Sequence, residues 1–203
     1  MPSPAEPPTH VASVILRAPS KYASASSAPF VAPSPAWLLR TWTVTHSTLS
    51  MWRTAQNVRI TYTEAAGRSG NQDLVEYEDL DTNTTTTPKV HTVQGANTPS
   101  ASTTGAFDWR GKGWLFFVTS HWEILGWGEV EDPEAEGDDG AERWAVTWFA
   151  ATLFTREGID LYSSRRAGLR PATVAAIRVA AAAAAWPEPL AALVRNLQPV
   201  AIV

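Results

Sequence analysis

The sequence contains no cysteine among its 203 residues. A disulfide framework, a thiolate nucleophile and a Cys-ligated metal site are therefore excluded. Because small secreted domains commonly depend on disulfides, this absence favours an intracellular protein, and we predict a cytoplasmic location. Met1 is followed by prolines rather than by a basic region and an apolar stretch, so we expect no secretory signal.

Long apolar runs and a surplus of positive charge are missing as well. The longest apolar run, VAAAAAAW at residues 179–186, is dominated by Ala and falls short of the ~20 strongly apolar residues that a transmembrane helix needs. The 16 Lys and Arg are scattered among 20 Asp and Glu, which gives a net charge of −4. We therefore expect no membrane insertion and no nucleic-acid partner, because nucleic-acid binders concentrate basic residues.

The first 35 residues differ from the rest in composition. They carry eight of the 15 prolines together with many Ala and Ser residues. Such a segment has too few large apolar residues to form a core. We predict a disordered arm over residues 1–35 and one domain over 36–203, since a chain of this length is too short for two ordinary domains and a linker.

From Trp37 onward, residues alternate with the period of two that is typical of half-buried strands. The segments 36–47, 57–64, 105–125, 143–154 and 158–164 are predicted strands. The segments DLVEYED (73–79) and PKVHTVQG (88–95) are shorter and more polar, as on the solvated side or the edge of a barrel. The roughly eight strands have no helix between them, so we expect antiparallel pairing.

The C-terminal segment has a different pattern. It is strongly helical from Pro171, stops before Pro187 and resumes at Glu188. Val174 and Ile177 belong to a face of small and apolar residues that can pack closely on a sheet. The predicted fold is all-β: an antiparallel up-and-down β-barrel of about eight strands with a C-terminal α-helix packed on it.

Three of the ten tryptophans lie in GKGWLFFVTSHWEILGWGE, residues 111–129. An eight-stranded barrel is just wide enough to be filled by side chains or to hold one small ligand. Trp42, Trp122 and Trp148 are predicted either to meet across the barrel as a ligand cage or to fill its core. Leu115 and Phe117 lie either under the C-terminal helix or inside the barrel. Further ligand contacts are predicted for Trp52, Tyr62, Arg110, Lys112 and Trp127.

Acid–base chemistry has two candidate positions. His121 and Glu123 are two residues apart on a strand and therefore share a face, where the carboxylate can orient the imidazole and both can meet a ligand. The alternative is a histidine at the rim beside a solvated glutamate. His46, on the face of Trp42 in the first strand, is the other proton-transfer candidate.

Other chemistries find no support in the motifs. The chain has no nucleophile elbow with a Ser-His-Asp order and no Gly-rich loop for phosphate, and its four histidines are widely dispersed. We therefore predict no metal and no cofactor. The acidic segment EVEDPEAEGDDGAE (129–142) lacks the fixed spacing of a calcium loop and is predicted to be a solvated loop.

About eight meandering strands, opened by LLRTWTVTHST and followed by a helix, resemble the lipocalin-like, or calycin, superfamily. Trp42 matches the tryptophan of the family's Gly-x-Trp motif, while Arg40 stands where the family has glycine. The resemblance covers about residues 36–185 and implies that the loop with Met51, Trp52 and Arg53 lies over the barrel mouth. The segments STLSMWRTAQNVRITY, WRGKGWLFFVTSHWEILGWGE and WFAATLFTREGIDLYSSR also resemble small fungal proteins of this type.

The resemblance implies a function as well. Some lipocalin-like fungal proteins are cyclases of secondary metabolism that close rings by Diels–Alder or hetero-Diels–Alder reactions inside the barrel. We predict a cofactor-independent cyclase or isomerase that binds a bulky hydrophobic small molecule. The alternative is a non-catalytic carrier of an apolar metabolite or of haem.

Overall fold

The strands of the barrel are consecutive in the sequence. A computed structural model describes residues 13–23, 30–67, 69–80, 89–131 and 141–203. Within these residues the strands are β1 (Thr41–Ser47), β2 (Ala55–Glu64), β3 (Asn71–Asp79), β4 (Val90–Pro99), β5 (Ala106–Gly111), β6 (Thr119–Glu131), β7 (Ala141–Phe149), β8 (Gly158–Ser163) and β9 (Gln198–Pro199).

Each strand from β1 to β8 pairs antiparallel with the next, and β8 pairs with β1. The pairing closes an eight-stranded antiparallel barrel, which confirms the predicted fold. The short β9 pairs with the end of β1, where His46 lies opposite Pro199. Because the sheet is closed, β3 and β4 are not an edge. Their mostly half-buried and exposed residues fit the other alternative, the solvated side of the barrel.

The helices are α1 (Pro35–Leu38), α2 (Pro171–Ala183) and α3 (Glu188–Arg195). The last two begin at the predicted residues and cover the outer face of the barrel. The fully buried carboxylate of Glu142, on β7, accepts the backbone N–H of Arg170 at 2.8 Å and the hydroxyl of Thr173. It fixes the start of α2 to the wall. None of the helices formed by the described residues has both the length and the apolar character needed to cross a bilayer.

The part of the barrel wall formed by β6, β7 and β8 is apolar on both faces. One cluster fills the inside and includes Trp42, Val44, Ile60 and Trp122. A second cluster lies between the outer face and the C-terminal helices, and its members are Leu125, Val130, Trp144, Val146, Trp148, Ile159, Leu161, Leu169, Ile177, Leu190 and Leu197. An antiparallel sheet normally shows one polar face. Here the covering segments make both faces buried.

Three predicted strands have wrong bounds. The strand predicted over residues 143–154 ends at Phe149. Trp37 belongs to α1, because the Ser34 hydroxyl accepts the Trp37 N–H as an N-cap and Pro35 starts the helix. Residues 113–115 form a 3-10 turn, and β6 begins only at Thr119. The chain must reverse between β5 and β6, and Gly113 has the positive φ of 60° that this turn uses.

The N-terminal arm is only partly described. Residues 13–23 lie along the outer face of β6, where the Arg17 N–H donates to the Leu125 carbonyl at 2.8 Å and Leu16 and Tyr22 pack on the outer cluster. The prediction of disorder is corrected for this segment. Residues 30–35 of the arm are also described, and Phe30 packs on the inner cluster. Residues 1–12 and 24–29 of the arm, and residues 132–140 of the acidic segment, lie outside the described residues.

Candidate functional site

A cavity of about 500 Å³ occupies one half of the barrel. It opens between the β1–β2, β5–β6 and β7–β8 loops, and most of its wall is apolar. Apolar cavities of this size are typical sites for drug-sized ligands. The aromatic residues of the inner wall are Trp52, Tyr62, Tyr77, Trp109, Trp122, Phe149 and Tyr162.

Trp122 forms one flat wall of the cavity. Its ring stacks on Phe107 at 4.5 Å between centroids and on Tyr62 at 5.7 Å. Its indole N–H donates to Asn97 Oδ1 at 2.7 Å, and the pair is buried. Stacking and hydrogen bonding together fix the ring. Trp122 and Tyr62 are thus two of the predicted ligand contacts that do line the cavity.

The loop after β1 lies at the mouth. It forms a 3-10 turn over Ser50–Thr54, from which Met51 and Trp52 reach the cavity lining. Trp52 packs edge-on against Tyr77 at 5.1 Å. Arg53 Nη2 donates to the Ser47 carbonyl at 2.6 Å and ties the turn back to β1. The loop therefore occupies the lid position that the resemblance implies.

The opposite half of the barrel is filled with tryptophan. Trp42 is fully buried, donates its N–H to the Leu38 carbonyl at 2.9 Å and packs on Trp37 at 4.8 Å. Trp127 packs against Trp37 at 5.1 Å. Neither Trp42 nor Trp127 lines the cavity, because α1 brings Trp37 into this end. The structure assigns the core-filling alternative to Trp42. Trp127, a predicted ligand contact, is partly buried and does not line the cavity.

Asp73 is an acid in the apolar wall. It lies on the inner face of β3 with Val75 and Tyr77, and its carboxylate accepts the Trp109 N–H at 2.9 and 3.0 Å. Gly95, on the neighbouring strand β4, makes room for this contact, since a Cβ there would lie 1.9 Å from Trp109 Nε1. Burial raises the pKa of Asp73 to about 6. The group can therefore donate or accept a proton near neutral pH.

A second polar group comes from β2 and β8. The phenols of Tyr62 and Tyr162 both line the cavity, and each influences the pKa of the other. Burial raises the pKa of each, so both remain protonated donors at neutral pH. Asp160 precedes Tyr162 by two residues and lies on the same face of the strand. Burial raises the pKa of Asp160 to about 7, although a hydrogen bond from Ser47 and the nearby charge of Arg53 both act to lower it.

His121 and Glu123 share a face, as predicted, but it is the outer one. The His121 ring contacts Asp108 at 2.8 Å and Glu123 at 3.4 Å. Glu123 is fully buried because the N-terminal segment covers it: Arg17 forms an ion pair with it at 2.8 Å, and the Ser20 N–H donates to it at 2.8 Å. The pair does not reach the cavity, and Glu123 holds the arm on the wall.

Three further predicted residues also lie away from the cavity. Trp148 is on the outer face, edge-on to Tyr22 at 6.4 Å, so the expected cage of three tryptophans does not form. His46 lies on the outer side near α2, where burial and then the charge of Arg178 lower its pKa. Arg110 points outward and donates to the Phe116 carbonyl at 3.1 Å.

Lys112 lies at the rim. Its ammonium contacts Gln72 Oε1 at 2.5 Å, and its positive charge acts to lower the pKa of Asp73, which burial raises.

Five inner-face residues were not predicted as site residues from the sequence: Asp73, Trp109, Phe149, Asp160 and Tyr162. The alternation of Asp73, Val75 and Tyr77 is a usable signal, because it places the acid on the same face of the strand as two apolar residues.

The fold and cavity define the class of structure: a closed eight-stranded antiparallel β-barrel with an internal apolar site, consistent with a lipocalin-like fold. A scan against models of known protein families finds no match to the chain. A search of curated proteins also finds none that is similar.

Proposed function

We propose that the barrel is a cofactor-independent cyclase or isomerase that acts on a bulky, mostly apolar small molecule. The observation that carries the proposal is the aromatic cavity whose polar wall groups include the Asp73 carboxyl and the hydroxyls of Tyr62 and Tyr162. This arrangement provides shape, orientation and a few placed hydrogen bonds. Pericyclic ring closure requires little else from a protein.

The aromatic walls supply orientation. The fixed ring of Trp122 and the edge-on pair of Trp52 and Tyr77 favour one folded conformer of a flexible chain. Holding the two reacting ends together removes much of the entropic barrier of a cyclisation. The substrate class that fits is a polyene or quinone-methide-like compound with large apolar surface.

The polar groups supply electrostatic stabilisation. A phenol hydroxyl of Tyr62 or Tyr162, or the protonated Asp73 carboxyl, would donate to a substrate carbonyl and withdraw electron density from the reacting double bond. The ionised Asp73 carboxylate would instead accept an acidic C–H or O–H proton, as an isomerisation needs. Both roles use the raised pKa of Asp73, about 6.

The resemblance of the sequence to small fungal lipocalin-like proteins supports the finer part of the proposal. Some of those proteins close rings by Diels–Alder or hetero-Diels–Alder reactions in secondary metabolism. We propose the same reaction class here, in an intracellular pathway that makes hydrophobic metabolites. Trp52, Tyr62 and Trp122 are the substrate contacts kept from the sequence analysis, and Asp73 replaces His121, Glu123 and His46 as the acid–base candidate.

The second candidate is a non-catalytic carrier of an apolar metabolite, which the largely apolar lining favours. Haem held through a histidine is not supported, because none of the described residues that line the cavity is a histidine. His91, at the rim, stacks on Tyr77 and contacts Asp79 at 3.0 Å.

One experiment distinguishes the two candidates. The protein is incubated with a lipophilic extract of its source organism, and bound and free compounds are compared by mass spectrometry. Loss of a compound with the appearance of an isomer of equal mass supports the cyclase or isomerase. Tyr62→Phe and Asp73→Asn should then slow that conversion by about tenfold or more. A compound retained unchanged supports the carrier and rejects catalysis.

A further inference from the structure

The loops at the cavity mouth expose large apolar side chains. Trp114, Phe116 and Phe117 of the β5–β6 loop are 72%, 66% and 51% exposed, and Leu153 and Phe154 of the β7–β8 loop are 78% and 63% exposed. We call these five residues the aromatic rim. Phe116 and Phe117 are edge-on at 5.6 Å, and Phe117 meets Phe154 at 6.5 Å. The two loops therefore form one continuous apolar surface.

Neither the core nor the cavity accounts for this surface. Trp114 and Phe154 border the cavity, but Phe116 and Phe117 do not line it and belong to neither hydrophobic cluster. A contiguous exposed patch of this kind on a protein surface marks a site of interaction. The patch borders the opening of the cavity on the side of the β5–β6 and β7–β8 loops.

The charge of the same two loops indicates the partner. Arg110, Lys112 and Arg156 are exposed beside the aromatic rim. Arg110 and Lys112 bond to neutral oxygens, of Phe116 and Gln72, so their charges are not compensated by these contacts. The acid next to Arg156 is Glu157, and Lys21 already pairs with it at 2.5 Å. Asp108, an exposed acid two residues before Arg110, already contacts His121 at 2.8 Å. The β5–β6 and β7–β8 side of the mouth thus carries a small local excess of positive charge in a chain of net charge −4.

We propose that the mouth of the barrel docks on an anionic lipid membrane. The aromatic rim enters the interface between headgroups and acyl chains, and the three cations meet the anionic headgroups. Docking places the opening of the cavity against acyl chains, so an apolar ligand passes between membrane and barrel without crossing water. The proposal rests on the exposed loops and holds whether the ligand is transformed or only carried.

The test is co-sedimentation of the full chain with vesicles of phosphatidylcholine and phosphatidylserine, with pure phosphatidylcholine vesicles in parallel. The double variant Phe116→Ser/Phe117→Ser removes aromatic surface that is exposed and outside the core, so its fold should be unchanged by circular dichroism. The matched control Ile15→Ser/Val179→Ser removes two side chains that are 76% and 70% exposed elsewhere. The double variant Lys112→Gln/Arg156→Gln removes two of the three cations and tests their contribution to vesicle binding.

We expect the protein to bind the anionic vesicles, and the double Phe variant to bind them about tenfold or more weakly than the control variant. Lys112→Gln/Arg156→Gln should weaken binding to anionic vesicles and leave binding to neutral ones unchanged. The proposal is overturned if the protein stays in the supernatant with the anionic vesicles. It is also overturned if the double Phe variant and the Ile15→Ser/Val179→Ser control lose vesicle binding equally. A dimer in sedimentation velocity that the Phe variant abolishes without vesicle binding overturns it too, since the surface then belongs to a second copy. The vesicle assay contains no ligand, and the extract assay contains no vesicles, so the two proposals fail separately.

Discussion

The indole of Trp109 donates its single N–H to both oxygens of the Asp73 carboxylate, at 2.9 and 3.0 Å, inside the wall of the barrel. The contact exists because Gly95 has no side chain at the point where the two groups meet. It leaves an ionisable acid, pKa about 6, at the edge of an otherwise aromatic cavity. The proposed chemistry and the pH dependence of stability both follow from this one carboxyl group.

Asp73→Asn should change how the stability of the protein depends on pH. The folded-state pKa of about 6 lies above the ordinary value of 3.8, so the folded state holds its proton more tightly than the unfolded state. The free energy of unfolding of the wild type should therefore fall as pH rises from 4 to 6 and beyond. The substitution Asp73→Asn should raise the free energy of unfolding by about 2 kcal/mol at pH 8 and leave it unchanged at pH 4.

Urea unfolding at the two pH values measures this difference. Glu64→Gln is the control, because Glu64 is an exposed acid at the end of β2. If Asp73→Asn and Glu64→Gln had the same effect at both pH values, burial of the Asp73 charge would be ruled out.

His121→Ala and His46→Ala should leave ligand binding unchanged, because both side chains lie on the outer side of the wall. Trp122→Phe, by contrast, loses the N–H to Asn97 and part of the stacked surface in the cavity. It should bind the ligand about fivefold or more weakly. Titration of the retained compound against each purified variant gives the affinities. A large loss in either histidine variant would instead support the original acid–base hypothesis.

Arg17→Ala should destabilise the protein by about 3 kcal/mol, because it leaves the fully buried Glu123 carboxylate without its cation. Lys21→Ala is the matched control from the same segment. The Lys21 side chain is 54% exposed in its ion pair with Glu157, so its loss should cost less than about 1 kcal/mol. Both values come from urea unfolding at pH 7, and equal effects would contradict a buried anchor at Glu123.

The barrel and its C-terminal helices were predictable because the strand period and the start of α2 at Pro171 are local signals. The inner face was not, because the covering helices and the N-terminal segment make residues such as Trp148 as buried as Trp122. β-bulges also make the inner face of the barrel hard to predict. The register shift between Val44 and His46 moves the histidine to the outer face, which simple alternation had assigned with Trp42.

The site was predicted only in part, because the sequence alone did not distinguish inward-pointing from outward-pointing residues. Tyr62, Trp52 and Trp122 are large aromatic residues whose burial in a barrel is the expected outcome wherever they point inward. Asp73 is an acid in a strand of mixed polarity, and its significance depends on Gly95 and Trp109, which pair with it only after β3, β4 and β5 come together. That information lies in the tertiary contacts, not in any one segment.

The most direct test of the account is whether the cavity is where an apolar compound binds. Val75→Trp places a large ring inside the cavity, since Val75 lines it, whereas Thr92→Trp adds the same ring to an exposed position on the neighbouring strand. The wild type and both variants are incubated with the lipophilic extract, and the retained compounds are measured by mass spectrometry. We expect the wild type and Thr92→Trp to retain the same compound and Val75→Trp not to retain it. Equal retention by all three proteins, or by none, would contradict it.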